Sequence, residues 1–329
     1  MSSYVAVNLL FYVQMALLYT DIRMPPIFPD FAPPKLEDQS IYNRLVAEFP
    51  PHSDISFITL HIWWNLGEQL AISTLNNNLV INYHLPFDKE NSGYSLIGKN
   101  AVDNSIETIF VYLRQEHRAL KLVHVPDFVI EAIKNPEKLN IVEESDYNEY
   151  ILASKATADL QGGSYASTRR RVNRFLRETQ GKKIEVKILD LSSLGIKDQL
   201  FSYIQRWEKD HPWINDPERT EYRAIEKTLR HAIVFNIQNL AIYINEQLHA
   251  VIFYHRSLNK KYYVVHHLKV DYSLPYIVDY ATQQLAKKAV EEDVLFINME
   301  MDLGIEGLRE HKMGLKPVHF FRKYTITPV

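Results

Sequence analysis

LAIYINEQLHAVIFYHRSLNKKYYVVHHLKV, residues Leu240–Val270, decides the fold. Apolar and β-branched residues fill three runs, Leu240–Ile244, Leu248–His255 and Tyr262–Val270, and short polar turns at Asn245-Glu246 and Asn259-Lys260 separate them, which predicts an antiparallel meander. Downstream, the spacing predicts a helix from about Tyr276 to Glu291 and a nearly continuous apolar strand, Val294–Ile297. A short helix near Ile305–Met313 and a last strand after Pro317 follow. Upstream, Ile184–Leu189 reads as a strand, with helices near Asp198–Asp210 and Arg219–Phe235.

The first half repeats this order of elements without repeating its sequence. Helices are expected near Ile41–Glu48 and Ile55–Trp64, then strands Leu70–Thr74, Leu79–His84 and Tyr94–Ile97. A helix Val102–Glu116, a strand Leu120–His124, a helix near Asp127–Ile133 and strands near Leu139–Val142 and Tyr147–Leu152 complete it. A meander that passes through a helix into a central buried strand resembles the GNAT acyltransferase fold. The expectation is therefore an α+β (mixed α/β) protein of two tandem GNAT-like domains: an N-terminal extension over 1–39, a first domain over 40–155, a basic connecting helix over 156–183 and a second domain over 184–329.

At 329 residues the chain has length for two cores, and 46% hydrophobic with 23% charged residues excludes disordered and fibrous classes. A formal charge of -3 means that any attraction to nucleic acid or anionic lipid must be local. The absence of cysteine excludes disulfides, thiol nucleophiles and thiolate metal sites, and suits a reducing compartment such as the cytoplasm. The apolar segment Val5–Tyr19 is shorter than the roughly 20 residues of a spanning helix, contains Asn8 and Gln14, and is expected to be a packed or peripheral helix that could touch a membrane surface.

The sharpest charge feature lies at the junction. Lys155–Lys187 holds nine basic and three acidic residues, net +6, whereas Glu131–Tyr150 holds two and six, net -4. Tyr165, Thr168, Val172, Phe175 and Leu176 fall on one side of a helix, which sets Arg170, Arg174 and Arg177 on the other, with Arg169 and Arg171 flanking and Asn173 between. Gly162-Gly163-Ser164 leads in: Ser164 can cap the helix, and the glycines let backbone N–H groups turn toward an anion. These residues are the candidates for binding phosphate, a planar and bidentate task that suits arginine. The alternative is a solvated face paired with Glu143, Glu144 and Asp146.

The apolar run Val294–Ile297 gives way to Asn298-Met299-Glu300-Met301-Asp302. A persisting strand would set Asn298, Glu300 and Asp302 on one face, placing two carboxylates at the C-terminal end of a central strand, where burial could tune one as a general base. Arg309 could answer these carboxylates or an anion, and Lys312, one turn beyond, joins the candidates for binding phosphate. Alternatively, Asp302 caps the closing helix and Glu300 pairs with Arg309. His267 and Lys269 share a strand face, while His249, His255 and His266 are scattered over the hairpin; packing or surface roles are expected for the histidines, and no metal site. Trp63-Trp64 is expected in the core.

The run Ala158–Tyr165 continuing through Arg170-Arg171-Val172-Asn173-Arg174-Phe175-Leu176 resembles the signature of the DUF2156 family, the phosphatidylglycerol lysyltransferase C-terminal domain. The closing run Ile297–Lys312, continuing to Lys316-Pro317-Val318, resembles that family's second hallmark, INxExDLGxxGLRxxKxxxxP. Ser56-Phe57 with Leu60-His61-Ile62-Trp63 is similar to a weaker N-terminal pattern, so the likeness runs from about residue 40 to the end. It implies a tandem GNAT-like fold and, in the lysyltransferase branch, transfer of an amino acid from aminoacyl-tRNA to a lipid hydroxyl. Glu300, Asp302, Arg309 and Lys312 map to the closing motif, and Arg170, Arg171 and Asn173 to the basic helix.

On this reading the arginine helix, with Gly162 and Gly163, would hold the tRNA 3′ end through phosphates. Asp302 or Glu300 would take the acceptor's proton, and Arg309 or Lys269 would stabilise the oxyanion. No cofactor is expected beyond an aminoacyl-tRNA or acyl-CoA co-substrate, with a lipid or small-molecule acceptor. The turn Asp271–Pro275 has none of the glycines with which an ordinary GNAT protein cradles coenzyme A pyrophosphate, which argues against acetyl-CoA. An acyl-CoA-dependent N-acyltransferase and a non-catalytic binding module are the competing readings.

Overall fold

The computed structural model describes residues 24–64, 68–84, 92–210 and 220–329; the apolar segment Val5–Tyr19 lies outside them. Two helices lead, α1 (Gln39–Val46) and α2 (Phe57–Trp63), followed by β1 (Leu70–Leu75), β2 (Asn78–Tyr83), β3 (Gly93–Ile97), α3 (Val102–Gln115), β4 (Leu122–Pro126), α4 (Asp127–Ile130) and β5 (Leu139–Glu143). The chain continues through β6 (Glu149–Ala153), α5 (Ser154–Asp159), α6 (Ala166–Glu178), β7 (Ile184–Lys187), α7 (Leu194–Asp210) and α8 (Thr220–Arg230). It closes with β8 (Gln238–Ile244), β9 (Gln247–Arg256), β10 (Tyr262–Val270), α9 (Ile277–Glu291), β11 (Phe296–Asn298), α10 (Glu306–Gly314), β12 (His319–Phe321) and β13 (Lys323–Pro328).

The unit predicted from Leu240–Ile297 is present twice. Strands β1, β2 and β3 form an antiparallel meander that passes through α3 into β4, parallel to β3. Strands β8, β9 and β10 do the same through α9 into β11. The fold is thus mixed α/β with two GNAT-like units. Local chemistry explains the hairpins: Asn76-Asn77 and Asn245-Glu246 both adopt positive φ, as a two-residue turn that matches strand twist demands. At Gly98 φ is +143°, and a Cβ there would come within 2.2 Å of Asn78 Oδ1, so no other residue fits.

The sheets exchange strands. Their orders are β1-β2-β3-β4-β13-β5 and β12-β6-β11-β10-β9-β8-β7. The sequence groups the strand near Tyr147–Leu152 with the first unit, yet β6 lies beside β11 in the second sheet. It groups everything after residue 184 with the second unit, yet β13 lies between β4 and β5. The contiguous spans 40–155 and 184–329 therefore do not each carry a whole sheet.

Strand alternation decides the layering. Leu240, Ile242, Ile252 and Tyr254 pack with Val172 and Phe175 of α6 and Leu285 of α9, while Ala241, Tyr243, Val251 and Phe253 face a core shared with Leu200 of α7, Leu229 of α8 and the whole first unit. The second sheet, covered on both faces, fuses the units. Phe253→Ala at this seam would cost about 3–5 kcal/mol, the usual range for emptying a buried aromatic site. Trp63 and Trp64 are half-buried against His267 and Tyr83 at 5.2 Å between ring centroids. Among the described residues, no helix is long and apolar enough to cross a membrane.

Candidate active site

The closing motif turns where continued extension was expected. Strand β11 stops at Asn298, and Glu300, Leu303 and Gly304 all adopt positive φ, so the predicted alternation of Asn298, Glu300 and Asp302 on a strand face does not occur. Asn298 is fully buried and pins this turn. Its side-chain amide donates to Glu149 Oε2 and Pro51 O, while its Oδ1 accepts from Glu300 N at 2.8 Å.

The turn separates the two carboxylates into different environments. Asp302 accepts hydrogen bonds from Tyr150 Oη, Gly304 N (2.8 Å) and the Nε and Nη2 of Arg309 (3.0 and 2.8 Å). Its burial alone would raise its pKa, but Arg309, Tyr150 and the Gly304 N–H outweigh burial and hold it below the usual range. Tyr150 is pushed up to about 12 by burial and by Asp302. With its oxygens so occupied, Asp302 positions Arg309, which also reaches Asp146 at 2.6 Å.

Glu300 is the contrasting case. Its side chain is 17% exposed and its Oε1 has no hydrogen-bond partner; the nearest ionisable nitrogen is His266 Nδ1 at 3.8 Å. Burial, reinforced by the charges of Glu149 and Asp54, raises its pKa well above the carboxylate range, and Lys312 and Lys323 offset this only in part. Lys312, placed by sequence among the phosphate-binding residues, is instead 7% exposed and donates to Met299 O (2.7 Å) and Met301 O. Burial lowers it to about 8, against the pull of the Glu300 charge. An acid raised and a base lowered thus lie within each other's electrostatic influence at the C-terminal end of the parallel strand, a pattern typical of sites that move protons.

Beneath this turn the exchanged strands meet in a buried polar cluster. Glu149 of β6 and Lys323 of β13 are both fully buried and 2.8 Å apart, and Lys323 also reaches Asp54 at 2.8 Å. The Ser53 N–H donates to both Glu149 oxygens at 3.0 and 2.8 Å. His52, Asp54 and Glu149 bring three potential ligand atoms within 4.8 Å, a spacing that a metal ion could use; the Lys323 ammonium already supplies positive charge to both carboxylates there. Sequence reading passed over Glu149 and Lys323. A carboxylate opening the apolar strand Tyr150-Ile151-Leu152 was the available signal.

The basic helix lies alongside. Thr168 Oγ1 donates to Gly314 O at 3.2 Å, joining α6 to the end of α10. Helix α6 starts at Ala166 with Tyr165 at its N-cap, so Ser164 does not cap it. The arginines divide by task. Arg169 bonds back to the carbonyls of Leu160 and Gly162, which closes the glycine loop; Gly162 and Gly163 are exposed and open on their Cβ side. Arg171 forks onto Asp279 at 2.8–3.0 Å, and Arg174 pairs with Glu178 and lies over the Tyr276 ring. Arg170 and Arg177 are exposed with no ion-pair partner among the described residues, and Asn173 is exposed beside them. None of these arginines pairs with Glu143, Glu144 or Asp146, which answer Arg322, His124 and Arg309.

Lys269 is elsewhere. Its ammonium lies 2.6 Å from Glu221 and 3.8 Å above the Trp207 ring, and burial lowers its pKa. It stands five residues beyond Val264, the partner of Asn298, or about 17 Å along β10 at about 3.3 Å per residue. The scattered histidines prove organised: His255 Nδ1 and His266 Nε2 are 2.7 Å apart in the core, and His267 Nε2 meets Thr228 at 2.9 Å.

Residues 64–327 match the family described as phosphatidylglycerol lysyltransferase, C-terminal. The chain belongs to that family. Similar solved structures agree on the fold. A conserved protein of unknown function from Bacteroides thetaiotaomicron superposes with a TM-score of 0.76 at 21% identity, over 91% of this chain and 99% of that one. The C-terminal domain of a putative lysylphosphatidylglycerol synthetase from Agrobacterium fabrum gives 0.61 at 12% identity, over 88% and 91%. L-PGS from Bacillus licheniformis gives 0.57 at 14% identity, over 93% and 94%. No curated protein sequence matches this one.

Proposed function

We propose that this chain is an aminoacyltransferase that moves an aminoacyl group from aminoacyl-tRNA to a hydroxyl of a lipid or small-molecule acceptor. The observation that carries this reading is Glu300: a carboxylate of raised proton affinity, free at Oε1, next to the lowered Lys312 at the end of the central parallel strand. The family's name supports aminoacyl transfer as the reaction class. Glu300 is the base that finally holds the acceptor hydroxyl's proton as the acceptor oxygen bonds to the ester carbonyl carbon. The bond from that carbon to the donor's ribose oxygen then breaks, and the proton passes to the departing oxygen. Arg309, oriented by Asp302, offers Nη1 to the oxyanion, and Arg170 and Arg177 hold donor phosphates.

The test is transfer of labelled amino acids from a fully charged total tRNA pool into lipid and small-molecule fractions, with Glu300→Gln alongside. Label moved by the wild type and lost in the variant supports the reading. Absence of transfer by folded wild-type protein, or equal transfer by Glu300→Gln, overturns it.

A further inference from the structure

A cavity of about 250 Å³ lies between the units, bounded by α1, the segment leading into α2, residues 234–236 and the β9–β10 turn. Phe49, Phe57 and Phe235 give it aromatic walls, and no Asp or Glu lines it among the described residues. A cationic occupant would find no counter-charge there, whereas Arg256 in the lining supplies positive charge. His255 is part of the lining.

His255 uses Nδ1 to meet His266 Nε2 at 2.7 Å, which leaves Nε2 as its remaining nitrogen. His266 in turn has Nδ1 unbonded, 3.8 Å from the equally unbonded Glu300 Oε1. These two buried orphans face each other across that gap. Contacts of this kind commonly tighten once substrate is bound. From the cavity to the carboxylate, donors and acceptors therefore alternate, with one open link, the 3.8 Å between His266 Nδ1 and Glu300 Oε1.

We infer that His255 and His266 form a proton wire joining the cavity to Glu300, and that the cavity holds a non-cationic, hydroxyl-bearing group whose proton enters the wire at His255 Nε2. This rests on the transferase reading and names how its acceptor is activated. As the acceptor oxygen bonds to the ester carbonyl carbon, its proton passes to His255 Nε2. The Nδ1 proton of His255 moves to His266 Nε2, and the Nδ1 proton of His266 moves to Glu300 Oε1. Both rings end as their other neutral tautomer. The proton returns to the ribose oxygen as the ester bond breaks, so charge and atoms balance.

The surroundings favour a wire of neutral imidazoles. Burial lowers His255 to about 4 and His266 well below its usual value, so neither stores a charge near neutrality. The groups facing the wire are His267, across 6.4 Å between ring centroids, then Glu300 itself with Lys312, Lys323, Glu149 and Asp54 around it. Lys269 acts on His267.

The experiment pairs two variants with a readout that needs no turnover. His266→Asn keeps a polar atom near the Nδ1 position and His266→Gln one near the Nε2 position; each preserves one contact but breaks the wire. Both should lose at least about 100-fold in transfer from the charged tRNA pool, the usual scale for losing acid–base catalysis. Label appearing in the lipid or the soluble fraction identifies the source of the hydroxyl. Imidazole ¹⁵N shifts of His255 should follow the titration of Glu300 in the wild type and stop doing so in Glu300→Gln. Transfer that survives in either variant overturns the wire. Coupled ¹⁵N shifts without any transfer support the wire and reject the transferase reading, whereas His255 shifts that ignore Glu300 overturn the wire whether or not transfer occurs.

Discussion

Lys323, the first residue of β13, holds Glu149, the first residue of β6, at 2.8 Å where neither side chain meets solvent. These are the two strands that cross between sheets, so the ion pair fastens the exchange at its centre. Removing one member leaves the other buried and uncompensated. Lys323→Met should therefore cost about 3–5 kcal/mol in chemical denaturation. A loss below about 1 kcal/mol would show that the pair contributes little beyond packing.

The same pair sets an acid limit. Burial opposes ionisation of Glu149, but Lys323, His52 and Asn298 prevail and hold its pKa below the usual value. Its stabilising contribution is then complete above the unfolded pKa of about 4.3 and is lost as pH falls through the lower folded value. Melting temperatures measured from pH 7 downward should decline below about pH 4.3, and Glu149→Gln should be less stable at pH 7 but flatter across that window.

Glu300 carries the opposite sign. Its folded pKa is raised, so the folded protein keeps a proton that the unfolded chain has released, and stability falls as pH rises from about 4.3 through the folded value. Glu300→Gln should melt no lower than the wild type at pH 8 while losing at least about 100-fold in transfer. The wild-type rate should rise with pH along a limb that lies above the normal carboxylate pKa. A rate independent of pH between 5 and 8 would remove Glu300 from the role of base.

The arginines of α6 should separate by task. Arg170→Ala and Arg177→Ala remove exposed, unpaired guanidiniums, so the melting temperature should hold while tRNA affinity falls and the slope of its logarithm against salt shrinks by about one per contact. Arg171→Ala should lower the melting temperature instead, because it strands buried Asp279. Equal binding losses at all three positions would mean that the helix acts as an undifferentiated charge.

Arg309 should not tolerate lysine. It spends Nε and Nη2 together on Asp302 and reaches Asp146 with the same fork, which a single ammonium cannot reproduce. Arg309→Lys is expected to match Arg309→Ala in transfer, with both losing about 100-fold. Restoration of activity by lysine would reduce Arg309 to a simple positive charge.

Much of this protein is legible in sequence alone. The runs between Leu240 and Val270, the Asn245-Glu246 turn and the amphipathic pattern of Ala166–Glu178 are local codes of hydrophobic period and turn chemistry, and they determined both meanders and the two GNAT-like units. The closing motif was visible as a run of residues, Asn298 to Lys312. What it does was not. The turn at Glu300, pinned by Asn298, gives the two carboxylates different surroundings: Arg309 and Tyr150 bond to Asp302, while Glu300 Oε1 is left unbonded 3.8 Å from His266 Nδ1. Likewise, the pairing of Lys323 with Glu149, 174 positions apart, and of His255 with His266 across a hairpin, depends on strand order and register. Proton affinity follows from burial and neighbouring charge, which arise only when distant segments meet; sequence therefore determined the elements, and tertiary structure decided which carboxylate is held in an ion pair, which is left unbonded and which ties the sheets together.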